Sequence, residues 1–372
     1  MSAIPPPARP RPGASVRTSA APGHLTHLVL IAAVVAACSA PSPSRPLAPS
    51  RPATPTAAAS GDPMRPTGEP ATHLALLAGN PRNARLVVLD SADRATAVDL
   101  PDAATAWISA DRAGRLLATT ADGRLFLTGS SPTGGVHGGW ASGDPGWREV
   151  VPAYAGTRPA APLSFAVLAP DGRTIAALAA DFARETAFDL VLLDAASGAA
   201  TSLRIPVRPD GAAPAWLPDG GLVVVARDPG RDLAGLLLVH PGAPEPVVRV
   251  EREAYGIALS ADGHIAAIDA ADGRIAVGPA EPFLGADPAT GPGTATPAPE
   301  SGPGHIATGP PGAAPGPFAL DPSGTRLAVV WLDDAEGPAT VMRYRMDPDG
   351  PVLEAAVPVP AGASTAVVAW LP

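Results

Sequence analysis

One segment pattern recurs along most of this chain and constrains its fold more than any single residue does. A short apolar run leads into an Asp-Gly turn or a near equivalent, and a second apolar run follows. The clearest copy is AVLAPDGRTIAALAAD, Ala166 to Asp181. It recurs as AWLPDGGLVVVARD from Ala215, IALSADGHIAAIDA from Ile257 and FALDPSGTRLAVVWLDD from Phe318, with a looser AWISADRAGRLLATTADG from Ala106. Asp-Gly supplies the positive φ angles of a tight hairpin, so the motif predicts two antiparallel strands joined by a short turn. Further strand-like runs follow each copy, such as FDLVLLDAASGAATSLRI from Phe188 and GLLLVHPGAPEPVVRV from Gly235. Four short strands per unit, with no helical periodicity, describe a β-propeller blade.

The turn glycines Gly114, Gly172, Gly220, Gly263 and Gly324 recur at intervals that match or exceed the roughly 40–50 residues of such a blade. Two intervals are long, and each holds an expected insertion, at about 129–146 and about 283–316. The ends complement each other. Leu74 to Leu100 reads as strands two to four of a blade lacking its first strand, while VVAWLP at Val367 to Pro372 matches a first strand alone. The predicted fold is therefore an all-β propeller, six blades with seven as the alternative, closed by the C-terminal strand pairing with the N-terminal blade. Closure of this kind removes exposed sheet edges.

These turns resemble those of TolB-like and WD-type bacterial propellers, whose blades carry a W-S-P-D-G-like turn before an apolar strand. The resemblance covers roughly residues 73–372 and implies the fold more than any activity. Trp107, Trp216 and Trp370 are read as sharing one repeat position and packing between blades.

The N-terminus reads as an address. LVLIAAVVAA, Leu28 to Ala37, is too short for a bilayer span of roughly 20 residues and fits the core of a signal peptide. Arg9, Arg11 and Arg17 supply its basic flank. Val35-Ala36-Ala37-Cys38 resembles the lipobox of bacterial lipoproteins, in which the cysteine receives a diacylglycerol after cleavage. Cys38 is the chain's one cysteine. The expected organisation is a signal peptide at 1–37, a lipidated Cys38 with a Pro-rich disordered tether at 38–72, and the propeller at 73–372. A tether of Pro, Ala, Ser and Thr buries too little apolar surface to fold, and at about 3.1 Å per residue it reaches some tens of ångströms. The protein is thus expected outside the cytoplasm, held to a membrane surface of the cell envelope by its lipid.

Several chemistries are excluded. All 26 basic residues are Arg, so no P-loop or Schiff-base lysine exists. With Cys38 acylated no thiol is left for catalysis or zinc, and neither a G-x-S-x-G elbow nor H-E-x-x-H occurs. A formal charge of −9 and the lack of a basic stripe argue against nucleic acid. No motif calls for a cofactor or metal. His73, His137, His240, His264 and His305 lie at no metal-like spacing, and Asp347-Pro-Asp-Gly reads as a turn.

Two sets of residues stand out as a candidate interaction surface. Asp122, Asp181, Asp228, Asp269 and the pair Asp333 and Asp334 each follow the second strand of a repeat, which would gather carboxylates at one end of the propeller, although turns favour Asp in any case. Trp140 and Trp147 lie in the glycine-rich GGVHGGWASGDPGW, read as outside any strand, either as a contact surface or folded onto the blade. The reading that follows is a non-enzymatic scaffold presenting its propeller to an envelope protein or small ligand. The alternatives are a metal-dependent lactonase or hydrolase resembling gluconolactonases, whose central metal is held by Glu, Asn and Asp, and a ligand-sensing accessory of a membrane kinase or transporter.

Overall fold

The structure is a computed structural model, and it describes residues 73–79, 84–129, 146–181, 186–227, 234–243, 247–270, 273–284, 304–332, 339–359 and 365–371. These form six sheets arranged as the blades of a propeller, antiparallel throughout except where Ala153–Tyr154 adds a short parallel pairing to Ala199–Ile205. Blades 2 and 3 are built in chain order from Thr105–Ala110, Leu116–Thr120, Leu125–Thr128 and Trp147–Val150, then from Leu163–Leu168, Thr174–Ala179, Phe188–Asp194 and Ala199–Ile205. Blade 4 follows with Ala215–Trp216, Leu222–Arg227, Ala234–Val239 and Val247–Glu253. Blade 5 holds Gly256–Leu259, Ile265–Ala270, Arg274–Pro279 and His305–Ala307; blade 6 holds Ala314–Leu320, Arg326–Leu332, Thr340–Asp347 and Gly350–Pro358.

Blade 1 is assembled from both ends of the chain. Thr365–Leu371 pairs antiparallel with His73–Gly79 in an unbroken register from His73–Leu371 to Gly79–Thr365, and Arg85–Leu89 and Ala95–Val98 complete the sheet. The predicted closure and the six-blade count both hold.

The apolar pattern explains the ring. Second strands read as near-continuous apolar runs because both of their faces are covered: Leu116 to Thr120 and Leu222 to Val225 are buried without alternation. Six apolar clusters result among the described residues, one at each contact between neighbouring blades. Leu117, Leu127 and Val191 belong to the wedge between blades 2 and 3, and Val223, Ile257 and Ile268 to that between blades 4 and 5. Small residues such as Ala118, Ala176, Ala177 and Ala267, all fully buried, let the sheets approach closely. A fully buried Leu, Ile or Val contributes roughly 1.5–3 kcal/mol, so every blade depends on both neighbours.

First strands are less regular. Those of blades 2, 3 and 6 each shift register once, near Ala106, Phe165 and Gly316. That of blade 4 is interrupted: Arg208–Pro209 pairs with the far end of Leu222–Arg227, and residues 210–214 bow out before Ala215 resumes the pairing. Pro209 and Pro214 lack the N–H that an unbroken ladder needs. Bulges of this kind re-aim side chains.

The two expected insertions fare differently. Residues 130–145 lie outside the described set, but the N–H of Gly129 donates to the carbonyl of Gly146 at 3.2 Å, so this excursion leaves and rejoins the blade at one point. The interval 283–316 is in part regular structure. It begins within a short helix, Ala280–Leu284, contains the outer strand His305–Ala307 of blade 5, and ends inside the first strand of blade 6. High Pro and Gly content hid that three-residue strand.

Candidate functional site

First strands of neighbouring blades contact one another around the axis, and at one end they surround a cavity of about 190 Å³, open to solvent and lined by all six. This is the end at which first strands turn into second strands. Trp107, Trp216, Trp370 and Phe318 dominate the wall, with Ile257 and Leu320 between them.

Trp216 and Trp370 occupy equivalent positions, next to last in their first strands' pairing with the second strands, where they face Leu222 and Leu74. Their blades, the fourth and the first, stand opposite each other in a ring of six. Each indole N–H crosses to the preceding blade: Trp216 donates to the Val167 carbonyl at 3.4 Å, and Trp370 to the Ala319 carbonyl at 3.0 Å. The packing role expected of them is therefore joined by a hydrogen bond that locks adjacent first strands.

Trp107 does not share that position. Ala110, paired with Leu116, is the true counterpart of Trp216, and Trp107 pairs with Thr119 three residues earlier. Aligning the two Ala-Trp dipeptides overlooked their different distances to the turn glycine. Trp107 meets Phe165 of blade 3 edge to face, with ring centroids 5.2 Å apart and planes at 71°. Phe165 takes a φ of 51° at the register shift of its strand, a conformation uncommon for a bulky residue. The buried Nε1 of Trp107 has no hydrogen-bond partner.

The turns around this mouth are braced by buried carboxylates. Asp111 Oδ1 accepts the N–H groups of Ala113 and Arg115 at 2.9 and 2.8 Å, while Oδ2 meets Arg115 Nε at 2.7 Å. Arg115 then donates to the Gly172 carbonyl of blade 3 at 2.7 Å. Gly172 is required here, since at its φ of 68° an added Cβ would fall 1.5 Å from the Arg115 guanidinium. In blade 6 the fully buried Asp321 accepts the Ser323 hydroxyl at 2.6 Å and the Arg326 N–H at 2.8 Å. The Ala261 N–H joins blade 5 to this turn through the Pro322 carbonyl at 3.0 Å.

The described ones among the sequence-derived aspartates, Asp122, Asp181 and Asp269, belong to the opposite end, where second strands finish. Asp122 follows its strand as expected, and its carboxyl takes the Thr120 hydroxyl and Arg124 Nε, the latter at 3.0 Å. The Thr120 hydrogen bond, aided by Arg124, holds that carboxyl below the usual carboxylate range. Arg124 also bridges to Asp102, whose carboxyl is lowered chiefly by the Ala104 N–H, and lies 5.4 Å over the Phe126 ring. Asp181 follows its strand and is exposed, whereas Asp269 lies within Ile265–Ala270 rather than after it, because that strand runs one residue further. Both have interaction partners. Asp228, Asp333 and Asp334 lie outside the described residues, as do Cys38 and Trp140.

Trp147 is not outside the strands. It opens the outer strand of blade 2, half-buried, and its indole N–H donates to the Asp99 carbonyl at 2.8 Å. The glycine-rich run before it masked this strand start. Among the described residues no three His, Cys, Asp or Glu side chains converge as metal ligands. The axial wall carries indoles and aliphatic groups where a lactonase-type centre needs carboxylates, and its one carboxylate, Asp111, is bound into its own turn.

No protein-family profile matches the chain, and no curated protein matches it in sequence. Solved structures do match in shape. TolB from Acinetobacter baumannii superposes with a TM-score of 0.52 at 13% identity, over 81% of this chain and 67% of that one. The putative TolB from Agrobacterium tumefaciens gives 0.46 at 15% identity, over 82% of this chain and 100% of that one. The likeness is one of fold. It agrees with the resemblance carried by the Asp-Gly turns.

Sequence reasoning missed the axial cavity. Its signal was present in the Trp before the turn in AWLPDG and VVAWLP, but only the register shifts of the first strands decide which side chains reach the axis.

Proposed function

We propose that this protein is an exported lipoprotein, anchored through Cys38, whose propeller serves as a scaffold for a protein partner in the cell envelope. The observation that carries the reading is the sequence run LVLIAAVVAAC, Leu28 to Cys38, set before a propeller whose first described strand begins at His73. A Pro-rich interval between them gives the domain reach from the membrane, and a closed ring with both blade faces buried gives it rigidity. Fold alone does not assign a partner. The contact surface we assign is the side of blade 2 at Trp147 and Val151, the latter 66% exposed, together with the inserted segment that carries Trp140 in the sequence.

Cross-linking in intact cells, followed by purification of the tagged chain and mass spectrometry, tests the partner. Trp140→Ala is the informative variant, because Trp147 also holds its strand to Asp99. One reproducible partner lost in that variant supports the reading, and no partner for the wild type overturns it. Cys38→Ser tests the anchor: the chain should leave the membrane fraction, and retention there would refute lipidation.

A further inference from the structure

We propose that the axial cavity is a binding site for a small neutral molecule with a single apolar ring. The size fits. Apolar cavities of about 150 Å³ take up benzene, and this one measures about 190 Å³. The wall fits as well, because most of its side-chain polar groups are engaged by the scaffold, the Trp107 indole N–H being the exception. The indole N–H groups of Trp216 and Trp370 are tied to backbone carbonyls, which leaves ring carbon to face the space. The Ser109 hydroxyl accepts the Leu168 N–H at 3.2 Å, and the Ser260 hydroxyl accepts the Ile265 N–H at 2.9 Å and donates to Asp262 at 2.6 Å. Asp111 is neutralised by Arg115, so the charge left at the rim is that of the exposed Arg112.

A cation entering such a space would give up its water and face Arg112. An anion could meet Arg112 only at the rim, outside the ring-lined part, so desolvating either costs several kcal/mol. A neutral ring instead displaces water that has few acceptors or donors to hold it, which favours binding. The cavity is also formed before any ligand arrives. Its wall comes from six strands fixed by ring closure and by the bonds between blades, so little ordering opposes binding. This site depends on neither the lipid anchor nor a protein partner.

The test is ¹⁹F NMR titration of the purified full chain with three probes: fluorobenzene, 4-fluorobenzoate and 4-fluorobenzyltrimethylammonium. Fluorobenzene should bind at least tenfold more tightly than either ion. Ala213 lines the cavity, is half-buried and belongs to the bowed segment of blade 4, so Ala213→Phe should fill the space and weaken fluorobenzene at least tenfold. If that variant does not fold, Ala261→Phe at the mouth replaces it with the same expectation. Leu353→Ser, on the outer strand of blade 6 and away from the cavity lining, should leave binding unchanged. No binding of fluorobenzene, equal binding of the ions, or binding insensitive to the filling variant would each overturn the proposal.

Discussion

The two ends of the propeller use the same residue type in opposite ways. Where first strands turn into second strands, Asp111 and Asp321 are 3% and 0% exposed, and their oxygens are engaged by N–H and O–H groups of their own turns. At the other end, Asp122 keeps 60% of its side-chain surface in water and shares Arg124 with Asp102. Both ends look alike in sequence, an Asp near a strand terminus. Burial separates them: a carboxylate enclosed with its donors specifies a turn, whereas an exposed one forms a surface ion pair of small net value. The cavity lies at the braced end, so the rigid turns also shape its mouth.

The comparison breaks most readily at Asp321. Asp321→Ala removes the acceptor of the Arg326 N–H and leaves the Ser323 hydroxyl only Thr325 to bond, and should cost about 3 kcal/mol in urea unfolding. A loss below 1 kcal/mol would mean the two ends do not differ in kind. A middle-sized effect should separate two tryptophans of the cavity wall. Trp370→Phe breaks the hydrogen bond to Ala319, while Trp107→Phe removes a buried N–H that has no partner. The first should be less stable than the second by about 1 kcal/mol, and the reverse order would refute the assigned roles.

The smallest effect belongs to Asp122. Asp122→Asn should cost under about 1 kcal/mol at neutral pH, as an exposed pair does. The sign with pH is also set. Because the folded-state carboxyl is held below its ordinary value by Thr120 and Arg124, its stabilisation is present above the unfolded aspartate range and disappears as pH falls through the folded value. Wild type and variant should therefore converge in stability in acid, and a gap that widens there would contradict the network.

Much of the architecture was legible without coordinates. Asp-Gly turns between apolar runs predict hairpins through backbone geometry alone, and the unmatched strands at the two ends predict ring closure, which the His73–Leu371 pairing realises. The site was far less legible. The shared Ala-Trp dipeptide suggests one position for Trp107 and Trp216, but their different distances to the turn glycine put Trp107 three residues further from its turn. The glycines before Trp147 suggest a loop and conceal the start of a short strand. The apolar run before Asp269 suggests a strand end that the structure carries on to Ala270.

The amino-acid sequence by itself determined the repeat unit and the way the ring is sealed, and narrowed the blades to six or seven, since hairpin chemistry and apolar runs are local properties written in consecutive residues. Only the tertiary structure decided which side chains meet at the axis, which carboxylates are buried and which indole donors find a carbonyl. Those outcomes depend on register shifts and on contacts between first strands of different blades, tens of residues apart in the chain, and no local pattern specifies them.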